Sequence, residues 1–91
     1  MIELITIFQT SQSWYLNKIF VNSNHMVSII EDLEHYKLMK EGKIDLPLDN
    51  NVRFSKVKMN PATGFDQLIV VGSPSMIMEK INKNTKQLLK G

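Results

Sequence analysis

The densest run of ionisable side chains is Glu31, Asp32, Glu34 and His35. Carboxylates beside an imidazole are what a divalent metal or a general acid–base pair requires. A metal also needs ligands converging from elsewhere, and no second pair occurs at metal-site spacing. On a helix Glu31 and His35 stand one turn apart, but acidic side chains in a first helical turn are already accounted for by the helix dipole. We therefore read the run as a solvated helix face and assign no catalytic residue, no metal ligand and no cofactor. His25, beside a turn, reads as a surface side chain.

A second chemistry involves cations and rings. Arg53, Lys56 and Lys58 share one predicted strand, while Trp14, Tyr15 and Phe65 fall on others. Positive charge along a phosphate track, with aromatic platforms on a sheet, is what single-stranded nucleic acid asks for. The same cations could hold the phosphates of a small nucleotide in a pocket where protomers meet. Against nucleic acid stands the charge balance: 11 Lys and Arg against 9 Asp and Glu give a formal net charge of only +2, far from a strongly basic footprint. Trp14 is also wanted for the core of so small a chain. The glycines at 42, 64, 72 and 91 are isolated, without phosphate-loop spacing. With no cysteine, a disulfide framework, a thiolate metal cage and a thiol nucleophile are all excluded.

The elements that must position these residues follow from periodicity. Residues 2–8 read as a strand with Ile2, Leu4 and Phe8 on one side and Ile5 and Ile7 on the other, a pattern suited to burial on both faces. After the polar stretch 9–13, residues 14–21 form a second strand and pair with the first as a hairpin. Met26, Ile29, Ile30, Leu33 and Tyr36 are at helical spacing, so Ser23 could cap one long helix stopped at Gly42. The β-branched run Val27-Ser28-Ile29-Ile30 favours instead a strand at 25–31 and a short helix at 32–41. Residues 43–51 read as a loop. Residues 52–59 read as a strand with a bulge near Ser55-Lys56. Residues 60–64 read as a hairpin loop, and 65–71 as the last strand. Ser73 caps and Pro74 begins a helix reaching toward Leu89, with Gly72 allowing the sharp exit from the strand. Ile77, Met78, Ile81, Leu88 and Leu89 form its apolar stripe, and Lys80, Lys83, Lys86 and Lys90 lie on the other side.

At 91 residues this is a single domain, 1–91, with residues 33–51 as a helix-and-loop insertion. The fold expected is α+β: a curved, mainly antiparallel sheet of about five strands with one C-terminal helix and a short inserted helix. No segment reaches the length of a membrane span, and Glu3 stands where a signal peptide would be basic, so a cytoplasmic protein is expected. One helix covers only one sheet face. The other apolar face is then expected to meet a second copy, making a homo-oligomer.

The opening Met1-Ile2-x-Leu4 strand, the aromatic strand ending Phe20-Val21-Asn22, the Val27-Ser28-Ile29-Ile30-Glu31 strand and the Val70-Val71-x-Ser73 junction before Glu79-Lys80-Ile81 together resemble the small flagellar regulatory proteins of the FlbD/SwrD family. Residues 32–51 would be an insertion relative to that pattern, and Asn60-Pro61-Ala62-Thr63-Gly64 replaces its Asn-Gly hairpin. The shared motifs are apolar, so the resemblance carries over no catalytic or ligand residue. The chain also resembles small bacteriophage proteins, for which acting on a host or defence factor would be a natural role. The expected function is a non-catalytic interaction or regulatory protein acting on a protein partner. Nucleic-acid binding and sequestration of a small nucleotide by an oligomer are the alternatives.

Overall fold

The computed structural model describes the backbone of residues 1–90 and the side chains of residues 1–83. Five strands and two helices follow one another as β1 (Ile2–Thr10), β2 (Ser13–Val21), β3 (Met26–Glu31), α1 (Leu33–Lys40), β4 (Phe54–Met59), β5 (Gln67–Val71) and α2 (Pro74–Lys90). The strands form one sheet in the order β2-β1-β5-β4-β3, every neighbouring pair antiparallel. The sheet is not closed: β2 and β3 are its edges. This is the expected α+β architecture, with residues 25–41 divided into strand and short helix. The β-branched side chains of 27–30 fit a pleated surface better than a helix turn. No described helix is long and apolar enough to cross a membrane.

Alternation along the strands feeds two cores. Ile2 and Leu4 of β1, Val21 of β2, Val57 and Met59 of β4, and Leu68 and Val70 of β5 are buried together beneath Ile77 of α2. On the opposite face Ile7 and Phe54 are buried with Met39 of α1 and Ile44, and Leu46, Leu48 and Val52 pack around them. The expectation that a single helix would cover the sheet, leaving one face to another copy, is corrected here. Helix α1 and the segment after it close much of that face, because Ile44, Leu46 and Leu48 alternate inward from an irregular backbone. Fully burying a side chain of this size contributes roughly 1.5–3 kcal/mol, so the insertion belongs to the core.

The expected bulge near Ser55-Lys56 is likewise absent. β4 pairs with β5 in unbroken register from Phe54↔Val71 to Lys58↔Gln67, and Phe54 and Val57 face opposite cores by simple alternation. The irregularity lies in β3, between Met26 and Ser28. β5 begins at Gln67 rather than 65, after a 3-10 turn at Pro61–Thr63. The strand-to-helix junction forms as its sequence dictates: Gly72 takes φ 118, and the Met76 amide donates to Ser73 Oγ at 3.2 Å. Ser55, buried, ties the junction down by donating from Oγ to the Gly72 carbonyl at 2.7 Å. Met78, expected in the apolar stripe of α2, is exposed. Leu88, Leu89, Lys86 and Lys90 lie outside the described side chains.

The hairpin and the rest of the sheet meet at one point. β1 and β2 pair over their whole length, from Ile2↔Val21 to Thr10↔Ser13, whereas β1 and β5 pair only at Thr6↔Val70. In a flat sheet Ile2 and Met59 would extend in opposite directions from that level, since Val70 also pairs with Ser55. Instead Met1 and Val21 share a pocket with Met59 and Phe65. The hairpin therefore crosses β5 steeply, one half over each core.

Candidate functional site

Two features converge where the hairpin crosses: a locked histidine and a cleft. Asp32 ends the extended stretch of β3 and caps α1, its Oδ1 accepting from the His35 amide at 3.1 Å. Its Oδ2 lies 2.7 Å from His35 Nδ1. The reciprocal bond of a capping box is not made, because the Asp32 amide donates to the Phe54 carbonyl at 2.9 Å and the imidazole meets the capping carboxylate instead. With Nδ1 engaged by Asp32, Nε2 is the ring nitrogen left for other partners. Asp32 is only 4% exposed, and the imidazole is further boxed by rings, edge-on to Trp14 at 5.8 Å and tilted to Phe54 at 6.0 Å between centroids. Glu31 ends β3, as the strand reading of 25–31 has it, and pairs with Arg53 at 2.9 Å, whereas Asp32 and His35, read as part of a solvated helix face, are buried and half-buried. The Asp-x-x-His spacing at a helix start was the sequence signal for the pair, visible only once Asp32 rather than Glu31 is placed at the cap. Among the described residues no group of His, Asp and Glu converges as a metal would require.

Beyond Thr6↔Val70 strands β1 and β5 diverge, leaving an open cleft of about 500 Å³. Trp14 and His35 line it together with Thr6, Gln9, Asn17 and Gln67. No Lys, Arg, Asp or Glu is among its lining residues.

The six cations and rings singled out in the sequence are not brought into one patch, although Phe65 and Trp14 both line the cleft. Trp14 and Tyr15 alternate to opposite faces of β2; Tyr15 stacks on Phe8 at 5.6 Å, while Trp14 meets His35. The Arg53 guanidinium is engaged twice, by Glu31 and by the Tyr36 ring 4.1 Å away. Lys56 and Lys58 share the Phe54 face of β4, the first half-buried and the second exposed. Lys56 and Lys58 stand directly across the sheet from Ile69 and Gln67, whereas the one arginine is held by Glu31 and Tyr36.

The hairpin carries the other notable surface. Ile5, Phe8, Tyr15, Leu16 and Phe20 are all exposed, Phe20 to 58%. β2 is also an open edge. Because a two-residue turn joins Thr10 to Ser13, those two form a hydrogen-bonded pair, so the odd residues of β2 bond to β1. The Thr6 hydroxyl donating to the Asn17 carbonyl at 3.0 Å agrees with that phase. The main-chain groups of Trp14, Leu16, Lys18 and Phe20 then point outward from the sheet.

No protein-family model, curated protein or solved structure matches the chain.

Proposed function

We propose that the chain is a non-catalytic interaction protein that self-associates along the β2 edge and regulates a protein partner in that assembled form. The observation that carries this reading is the outer edge of β2. Natural edge strands are shortened, bulged, interrupted by proline or studded with charge to prevent pairing. β2 is nine residues long, in unbroken register with β1, contains no proline and carries Lys18 as its single charge. A second copy docked antiparallel about Asn17 sets Trp14 against the other copy's Phe20 and Leu16 against its Lys18. No like charges meet, and the outward main-chain groups are satisfied. Of the exposed hairpin side chains, Tyr15, Leu16 and Phe20 on β2 are the ones brought against the other copy. The resemblance to small flagellar regulatory proteins supports a regulatory rather than an enzymatic role.

Light scattering on the purified chain tests this directly. The expected mass is a multiple of 10.5 kDa, and Leu16→Lys with Phe20→Lys is expected to return it to the single-chain value with an unchanged far-UV circular dichroism spectrum. A wild-type chain that stays monomeric at high micromolar concentration overturns the reading. Nucleic-acid binding, the alternative, would show instead as oligonucleotide affinity falling steeply with salt.

A further inference from the structure

We propose that the cleft between β1 and β5 is a binding site for a nucleobase or a closely similar planar heterocycle. The proposal does not depend on self-association, since every residue it uses comes from one chain. Small-molecule sites are concave, about 300–1,000 Å³ in volume, and mostly apolar with a few placed polar groups. The cleft, at about 500 Å³, has that size and that lining.

Three observations specify the class of ligand. No Lys, Arg, Asp or Glu lines the cleft itself, so the part of a ligand bound inside it is uncharged, while Lys56 and Lys58 stand across from its Ile69 and Gln67 wall. The rings of Trp14 and Phe65 offer flat apolar surface of the kind on which a base stacks. Finally, three of the polar side chains are carboxamides, Gln9 and Gln67 on the Trp14 side of the sheet and Asn17 on the other, and they make no hydrogen bond among the described residues. A carboxamide presents a donor and an acceptor side by side, the pairing found along the edge of a nucleobase.

His35 supplies the fixed point. Asp32 holds Nδ1 and the rings of Trp14 and Phe54 restrict its tilt, so Nε2 is a pre-oriented polar contact for the edge of a heterocycle. The main chain adds to this. The β1–β5 ladder stops at Thr6↔Val70, and by strand alternation the backbone groups of Gln9 and Gln67 both face the gap. A ligand edge laid there would stand in for the ladder bonds that the diverging strands do not make.

The test is a titration of ¹⁵N-labelled protein with adenosine, guanosine, cytidine and uridine, alongside ribose and inorganic phosphate. At least one nucleoside is expected to move the backbone and side-chain amide resonances of Gln9, Asn17 and Gln67, while ribose and phosphate move none of them. Because replacing His35 would also leave Asp32 unpaired, the decisive variants are Gln9→Ala and Gln67→Ala, both at exposed positions. Each is expected to weaken the nucleoside about 3- to 10-fold, the loss of one ordinary hydrogen bond, without changing the circular dichroism spectrum. No response to any nucleoside at millimolar concentration, shifts confined to residues outside the cleft, or wild-type affinity retained in both variants would each overturn the proposal.

Discussion

Two side chains carry more local information than their neighbours. Asp32 satisfies the first turn of α1 and simultaneously fixes His35, so truncating it removes a cap and orphans an imidazole that is largely enclosed. Replacing an N-cap by Ala costs about 0.5–2 kcal/mol. Asp32→Ala is expected at the upper end of that range in urea unfolding, whereas Glu34→Ala, exposed one residue pair away in the same acidic run, is expected to be near neutral. Ser11 shows the opposite case, a residue whose conformation opposes stability. It takes φ 54 in the β1–β2 turn, a region that L-residues enter at a cost of roughly 1–2 kcal/mol and glycine enters freely. Ser11→Gly is therefore expected to stabilise the chain by about 1 kcal/mol, seen as a higher midpoint in the same experiment.

At the level of elements, the segment between α1 and β4 behaves as a lid on the second core. Ile44 is 4% exposed although its backbone belongs to no helix or strand. Ile44→Ala is expected to cost about 2–5 kcal/mol, the penalty of a core deletion, where a solvent-exposed loop residue would cost almost nothing. The sequence shows why some elements can be read and this one cannot. Gly72-Ser73-Pro74 names its own structure, because each residue type has one strongly preferred backbone role there, and the β-branched run at 27–30 separates strand from helix for similar reasons. Ile44, Leu46 and Leu48 sit beside Pro47 in a stretch with turn residues, and local chemistry cannot say that their side chains point at Phe54 from across the chain. The acidic run around His35 was legible as a helix start but not as a buried pair, since a one-residue difference in where the helix begins decides whether Glu31 or Asp32 reaches the imidazole. The bulge placed in β4 has a related origin. Apolar residues on both parities of a strand signal two covered faces as readily as a change of phase.

On the scale of the whole molecule, the two cores divide the labour. One, beneath α2, joins the hairpin to β4 and β5; the other, beneath α1 and its following segment, encloses Phe54 and borders the cleft. Closing the second face with the chain's own insertion removes the original argument for association and moves it to the edge of β2 and the exposed hairpin side chains. Variants there are expected to change mass without changing stability: Phe20→Lys is expected to shift the denaturation midpoint by less than about 0.5 kcal/mol equivalent at fixed low concentration, as surface substitutions generally do. Variants beneath the insertion are expected to do the reverse, with unfolding followed by fluorescence of Trp14, the chain's one tryptophan, as the readout.

The single Thr6↔Val70 pairing also bears on how the chain reaches its native state. β1 and β2 can zip together as soon as they are synthesised, but β1's inner neighbour comes from near the other end of the chain, and loop closure of that length is entropically slow. The hairpin should thus form early, wait unattached, and dock last. Native-state hydrogen exchange would show the imprint of that order as amides of residues 2–21 opening together, at lower free energy than those of β4 and β5.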